Sequence, residues 1–478
     1  MAETIREYLD TVQEQIRWKR ARPVVVRELE QHLVDQRDAF MEEGNPPEAA
    51  EWLAVEEMGD PVTVGTELDR IHRLKPQRGL LAGTLILALL GGFLRVWLTA
   101  SGADIYEDIS PLRTVISLAV GTACLLGAYF LDYTWLTRHA VGVYIGALIL
   151  GVLSLWLSPN INHASYYTRY VVLCYPTVYA VWLYHCHGNR WKGVSLAMFG
   201  IVPLAVIGLQ APYLLGVLLL MVTAFVLLLV AAGTDWFGVG RGKTAAVALG
   251  LAGAISGTVV WQVWKNGWYQ TRLLMFLYPE LDPLGDGYQA MTVRKALSVS
   301  QWMGKGSCSE VISPYPFERT VPDWSRDFLL TTVVYKLGWL PFLLLALAVA
   351  GLLLWLLWKC LRQRSQAGRL VALSVIVPLG LQMAFSVAQN LGYVLFSSSM
   401  PLVTGNLPTV VSMGLIGLAL SVFREDSIAR ISNTAQGPVS RIRLSFQNEE
   451  DVQNGNHVLG VSLIISRGGT KKAEGSSF

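Results

Sequence analysis

Along the chain, apolar residues gather into runs longer than a soluble core uses. Ten of them come close to the roughly 20 residues that cross a bilayer: 79–99, 114–132, 140–157, 170–184, 193–209, 213–232, 244–264, 328–357, 370–396 and 408–423. Hydrocarbon offers no partner to an open backbone, so each run is expected to be a helix. The runs at 170–184 and 193–209 are short, which leaves their edges the least defined. Residues 1–78 follow a different pattern. Ile5, Leu9, Val12 and Ile16, then Val26, Leu29, Leu33 and Phe40, recur at the spacing of one helix face. Pro23 suits a first helical turn, and Gly44-Asn45-Pro46 closes that helix. Pro47–Met58 reads as a third helix ended by Gly59-Asp60-Pro61, and Val62–Leu74 as a short fourth. After Phe423 the chain turns to Ser, Asn and Gly, the composition of a mobile tail.

Charge gives this pattern a direction. Residues 1–78 carry 17 of the 35 acidic and 11 of the 38 basic residues, so the first segment is acidic outside and soluble. Beyond it, Arg138, then Arg190 with Lys192, then Arg241 with Lys243, then Lys359, Arg362, Arg364 and Arg369 occupy alternate loops. The loops between them hold Asp104, Glu107 and Asp108, or almost no charge. Lys and Arg mark cytoplasmic loops, so both termini are expected inside and the long connection at about 265–327 outside. Hydrophobic residues make up 53% and charged residues 15% of the 478, against about 25% charged in a soluble domain. That excludes a disordered chain, a disulfide-stapled module and an ordinary cytosolic enzyme. A net charge of +3 gives no footprint for nucleic acid. The five cysteines have no paired spacing, and His185-Cys186-His187 has no second ligand pair nearby, so no metal site is expected. No particular cofactor is indicated.

The expected fold is all-α: a polytopic membrane protein with about ten transmembrane helices, preceded by a small soluble helical bundle. The expected domains are a cytoplasmic helical prefix at 1–78, a membrane domain at 79–424 and a cytoplasmic tail at 425–478. The pattern ending in Met58-Gly59-Asp60-Pro61 resembles the small domains that precede bacterial permeases.

Long loops of this kind are functional or disordered, and residues 265–327 interleave aromatics, glycines and cations. Asp282-Pro283-Leu284-Gly285-Asp286-Gly287-Tyr288-Gln289, after Arg272 and Pro279 and before Gly304-Lys305-Gly306, resembles the loop of the shape, elongation, division and sporulation (SEDS) family of FtsW, RodA and SpoVE proteins. Ser325-Arg326-Asp327-Phe328 stands where that family has a histidine-threonine-aspartate-phenylalanine run, with Leu337-Gly338-Trp339 at the family spacing. Gln389-Asn390-Leu391-Gly392, Pro401–Gly405 with Pro408, and Gln210-Ala211-Pro212 echo further motifs. The likeness covers roughly 79–424.

What the resemblance implies is polymerisation of a lipid-linked peptidoglycan precursor, lipid II, at the outer face of the membrane, alongside a transpeptidase partner. Such a glycosyl transfer needs a base for the acceptor hydroxyl and cations for the departing pyrophosphate. By the resemblance, Asp327 is the candidate base. Arg272, Asp282, Gly285, Gly287, Tyr288, Gln289, Lys305 and Arg326 are the candidate substrate-binding residues. Arg294, Lys295 and Arg319 add positive charge by location alone. Each has a plainer reading too. Asp327 could simply be a favourable charge at a helix N-terminus, the glycines could only make a turn, and Arg294 and Lys295 could meet lipid headgroups.

Departures from the family also stand in the sequence. Tyr335 and Lys336 occupy the positions of two adjacent glutamates, and Tyr213 follows Pro212 where an aspartate is usual. Arg169, near Tyr166 and Tyr167, is a candidate substitute for a family lysine. The alternative reading is therefore a non-catalytic SEDS-like protein that binds, moves or scaffolds around the precursor. An unrelated permease is disfavoured because most runs lack buried charge. Lys336 lies nine residues after Asp327, on the opposite helix face. Gly338–Leu357 alone is long enough to span, which would leave Lys336 at the interface.

Overall fold

The computed structural model describes residues 4–18, 21–72, 76–100, 111–161, 164–265, 267–306, 317–321, 324–363, 365–405, 407–425, 442–449 and 458–465. Asp104, Glu107, Asp108, Cys308 and Arg364 lie outside them, and the side chain of Arg319 is likewise not described. Internal contacts divide the chain into two units, 75–426 and a second made of 1–74 with 427–478.

In the smaller unit, α1 (Ile5–Gln15), α2 (Arg22–Glu42), α3 (Pro47–Met58) and α4 (Pro61–His72) follow the helical spacing of the sequence. Tyr8, Val12, Ile16 and Leu33 meet in a fully buried core. Thr4 caps α1 by accepting from the Glu7 amide, and Gly59, at φ +82°, ends α3. The Asp60 carboxylate accepts from the amide and hydroxyl of Thr63 at 2.9 and 2.8 Å, closing the first turn of α4. The Thr63 bonds hold the Asp60 carboxyl below its ordinary value. In the tail, β3 (Ile442–Glu449) pairs antiparallel with β4 (Val458–Ile465). Ile442, Leu444 and Phe446 alternate with polar residues, a period-two signal inside a segment whose overall composition reads as mobile.

The larger unit is a membrane bundle. Its helices are α5 (Arg78–Ala100), α6 (Pro111–Phe130), α7 (Tyr133–Arg138), α8 (Ala140–Leu157), α9 (Thr168–Val172), α10 (Tyr175–His185), α11 (Arg190–Gln210), α12 (Leu214–Gly233) and α13 (Arg241–Lys265). There follow α14 (Gly267–Leu277), a 3-10 turn at Pro279–Leu281, α15 (Tyr288–Ser298), α16 (Phe317–Thr320), α17 (Leu329–Leu337), α18 (Trp339–Leu361), α19 (Gln366–Asn390) and α20 (Leu407–Arg424). A small hairpin of β1 (Asn160–Ile161) and β2 (Ala164–Ser165) lies between α8 and α9. Among the described residues, eight helices are long and apolar enough to cross a membrane: α5, α6, α8, α11, α12, α18, α19 and α20. The 25 residues of α13 reach about 37 Å, also a full crossing by length.

The expected run at 170–184 is where the pattern breaks. Pro176 has no amide to bond back to Val172, so that stretch divides into α9 and α10 around a turn at Leu173-Cys174. The run at 328–357 also divides. Gly338, at φ +105°, separates the short α17 from the spanning α18, so Lys336 lies outside the spanning helix.

The centre of the bundle is α20 and α19, 72% and 61% buried, whereas α6 and α8 are only 22% and 17% buried and turn Ile116, Val120, Ile145 and Ile149 outward. Small residues allow α6 to approach α20. A Cβ on Gly417 would sit 2.4 Å from the Leu125 carbonyl, and one on Gly121 would sit 2.7 Å from the Met413 sulfur. Close backbone approach at glycine is a common way for helices to pack in lipid. At the end of α10, His185 packs its ring against Trp182, and His187, in the loop that follows, packs against Trp236 beyond α12.

Candidate active site

Asp327 lies in a short turn, Trp324–Phe328, that leads into α17. Thr332 pins this turn by donating to the carbonyls of Trp324 and Phe328 at 2.8 and 3.0 Å. Asp327 does not cap the helix. Asn390, from the far end of α19, does so: its Oδ1 accepts from the Thr331 amide at 2.8 Å and the Thr331 hydroxyl at 2.9 Å. The same amide's Nδ2 donates to the Asp327 carbonyl at 2.8 Å and the Ser386 carbonyl at 2.8 Å. The Asp327 carboxylate accepts from the Ser397 hydroxyl. One asparagine thus fixes the backbone on both sides of Phe328, while the carboxylate reaches a serine in the following loop.

That loop, 391–405, is built by its neighbours. Gln389 Oε1 accepts from the Ser398 amide at 2.7 Å, and the Ser398 hydroxyl donates to the Gln382 carbonyl at 2.9 Å. Arg272 Nε donates to the Leu395 carbonyl at 3.1 Å, and Arg294 Nε to the Gly392 carbonyl at 3.2 Å. Arg294 also lies over the Tyr393 ring and within 3.6 Å of the Glu280 carboxylate. At the other end, Arg95 of α5, 4% exposed, donates to the carbonyls of Thr404 and Gly405 at 3.2 and 3.3 Å. Val403 sits against Gly91, where any Cβ would lie 2.4 Å from its Cα.

The carboxylate faces a cleft lined by Tyr166, Arg169, Tyr170, Tyr213, Arg326 and Ser397, with Gln382, Ser399, Thr404 and Pro408 among its other walls. The Arg169 guanidinium stacks over the rings of Tyr166 and Tyr170 at 4.5 and 4.9 Å, and its charge interacts with that of Asp327. Tyr213 fits because Gly216 has no side chain; a Cβ there would lie 2.3 Å from the ring. A carboxylate, two guanidiniums and three phenols around one opening can take a proton from a hydroxyl and hold an oxyanion.

Of the residues singled out in the sequence, Asp327, Arg326, Arg169, Tyr166 and Tyr213 line this cleft. No octapeptide residue is among the lining residues; the segment makes a turn of its own. Asp282 accepts from the amides of Gly285 and Asp286 at 3.0 and 3.1 Å. A Cβ on Gly287 would lie 2.1 Å from the Pro279 carbonyl, so close backbone approach explains that glycine. Tyr288 starts α15 and donates to the Thr320 carbonyl at 3.0 Å, while Gln289 is exposed. Lys305 is exposed in the segment 301–306, which lies along the α17–α18 junction through Gly304 N–Leu337 O and Gly306 N–Tyr335 O bonds of 2.8 Å. Arg272 and Arg294 each turn Nε to a backbone carbonyl, and Lys295 is exposed. Tyr335 stacks on Phe317 with ring centroids 4.4 Å apart, and Lys336 lies over Trp324 and donates to the Leu98 carbonyl at 3.3 Å. Sequence reasoning missed Ser397, Tyr170 and Arg95. An arginine inside the run 79–99 was the one available signal, since a charge there has to be held by something.

Comparison with known proteins fits this geometry. The family of cell cycle proteins named for FtsW, RodA and SpoVE matches residues 80–427. Peptidoglycan glycosyltransferase MrdB of Escherichia coli (strain K12) is 25% identical over 232 residues, 48% of this chain and 59% of that protein. Probable peptidoglycan glycosyltransferase FtsW of Methylococcus capsulatus is 24% identical over 351 residues, 68% of this chain and 84% of that one. The matched region thus spans less than two thirds of the length of MrdB. A solved structure titled "Structural coordination of polymerization and crosslinking by a peptidoglycan synthase complex" superimposes with a TM-score of 0.57 at 19% identity, covering 74% of this chain and 99% of that one. The fold is shared.

Proposed function

This chain belongs to the FtsW, RodA and SpoVE family of cell cycle proteins and is a multi-pass membrane protein; from that premise we propose that it polymerises lipid-linked peptidoglycan precursor at the outer membrane face. The observation that carries the reading is the Asp327 carboxylate, set opposite Arg169 and Arg326 in one cleft. In the reaction the acceptor sugar hydroxyl attacks the anomeric carbon of the donor. The bond from that carbon to the lipid pyrophosphate breaks, and Asp327 takes the hydroxyl proton. Arg169 and Arg326 stabilise the negative charge that develops on the leaving pyrophosphate. The tyrosines hold Arg169 in place and give the sugar a flat wall. In this reading Arg272 is a positioning residue, acting through the loop that carries Ser397.

The alternation of basic loops supports cytoplasmic termini and an external 265–327 segment, with a helical prefix over 1–78, a membrane domain over 79–424 and a tail beyond. MrdB and FtsW carry the name peptidoglycan glycosyltransferase. The structure with the same fold belongs to a complex that couples polymerization to crosslinking, so a transpeptidase is the partner we assign.

A second reading, a scaffold that binds the precursor without polymerising it, draws on Tyr335 and Lys336. These stand where the family resemblance leads one to expect glutamates, and both are used in packing. Purified protein with fluorescent lipid II separates the two. Polymer that disappears with Asp327→Asn supports the enzyme. Lipid II bound equally by both forms and never extended supports the scaffold.

A further inference from the structure

A second cavity lies where the end of α12 meets the start of α19. Its walls are Val230 and Thr234 from α12, Gln363 from the α18–α19 loop, and Gln366, Arg369 and Leu370 from the first turns of α19. It encloses about 200 Å³, several times the roughly 30 Å³ that one water occupies in the liquid. Two donors on its walls are buried without an acceptor among the described residues: the side-chain nitrogen of Gln363 and Nε of Arg369. Gln363 is 8% exposed, so its amide has little bulk water to turn to. A buried donor left unpaired costs about 1–3 kcal/mol, and two around one opening point to a missing acceptor.

The surroundings say what kind of acceptor. The cavity sits at the N-terminus of the 25-residue α19, whose backbone carries partial positive charge there. The Ser365 hydroxyl already accepts from the Gly368 amide at 3.1 Å, so the helix has its own cap and the cavity donors are additional to it. None of the described lining residues is acidic. Arg362 of the same loop and Lys359 near the end of α18 are not part of the lining; they are held over the Trp358 ring at 4.0 and 5.6 Å. Val230 and Leu370 supply an apolar flank. Basic pockets between transmembrane helices are a known kind of headgroup site.

We propose that this cavity binds a phosphate-type oxyanion, presented by an anionic lipid headgroup or free in solution, through Gln363, Arg369 and the α19 N-terminus. It is separate from the Asp327 cleft, sharing none of its lining residues, and the assignment does not depend on the polymerase reading.

The full chain, purified in a neutral detergent, is titrated with phosphatidylglycerol and separately with inorganic phosphate. Retained lipid is read by native mass spectrometry and stabilisation by thermal unfolding. Wild type should bind at least one of the two, and Gln363→Leu and Arg369→Gln should each weaken that binding about tenfold or more. Arg369→Lys, which keeps the charge, should recover part of it, and Arg362→Gln, in the same loop but not among the lining residues, should bind as wild type does. Phosphatidylglycerol retained and not displaced by millimolar phosphate identifies the lipid source; phosphate alone shifting the unfolding curve identifies the free ion. Equal binding of both probes by wild type and by folded Gln363→Leu and Arg369→Gln variants, or no binding at all, overturns the proposal.

Discussion

Asn390 is the residue whose loss should be felt most directly at the candidate base. It is 1% exposed and makes four hydrogen bonds of 2.8–2.9 Å, to the Thr331 amide and hydroxyl and to the Asp327 and Ser386 carbonyls. Asn390→Ala strips the Thr331 amide and the Asp327 carbonyl of these partners in a buried site. At about 1–3 kcal/mol for each stranded group, the loss comes to about 2–6 kcal/mol, the upper end being rare for one substitution. Thr331→Val removes only the hydroxyl bonds and keeps the amide–Asn390 bond, so it should cost about 1 kcal/mol. Asn390→Asp keeps an acceptor for Thr331 but sets a carboxylate oxygen against the carbonyls of Asp327 and Ser386. Its stability should fall between the other two variants while the Asp327 turn is pushed out of place. A misplacement of about 1 Å at a reacting group can cost about a hundredfold in rate. Unfolding by SDS in mixed micelles measures the first effect and lipid II turnover the second. If Asn390→Ala unfolds with wild-type stability and polymerises at the wild-type rate, the clamp is not what positions Asp327, and the reasoning fails.

Other consequences are open to measurement. Gly417→Val should drive α6 from α20 and cost about 1–3 kcal/mol or more, whereas Gly127→Ala, with nothing within 4 Å of its Cβ, should be neutral in the same SDS titration. Because hydrogen bonds from Thr63 hold the Asp60 carboxyl below its ordinary value of 3.8, its stabilisation of α4 is present above that value and is lost as pH falls through the lowered one. Exchange protection of the α4 amides, corrected for intrinsic rates, should drop on acidification in wild type and change far less in Asp60→Ala. In a cysteine-free background, Trp302→Cys, at a position now 72% exposed, should react with a membrane-impermeant maleimide from outside the cell, and Arg362→Cys only after permeabilisation. The reverse pattern would invert the topology and remove Asp327 from its proposed substrate.

How much of this could be read beforehand depended on whether the signal was local. The third helix of the N-terminal bundle was legible to the residue because Pro47 starts it and Gly59, at positive φ, ends it. Most spanning helices were visible as apolar runs for the same reason: the bilayer imposes one length on all of them. The run at 170–184 hides a break, because one missing amide at Pro176 divides a segment that hydropathy treats as continuous. Asp327 was found through a motif. Ser397, 70 residues away, carries no pattern of its own. Arg272 and Arg294 looked like charges waiting for a substrate, but their carbonyl partners lie 123 and 98 residues on, a distance at which spacing says nothing. Tyr213 was noticed as a lost aspartate; that it would line the cleft with Arg169 depended on the space left by Gly216.

The junction at Gly338 bears on anyone wishing to modify this protein. Gln301 and Trp302 accept from the first two amides of α18, while the Gly304 and Gly306 amides donate to the carbonyls that end α17. Six loop residues therefore serve as the cap of two helices at once. An epitope or fluorescent tag spliced between positions 301 and 306 would uncap both and unseat the turn that bears the acid, so insertion sites outside the bilayer have to be chosen elsewhere.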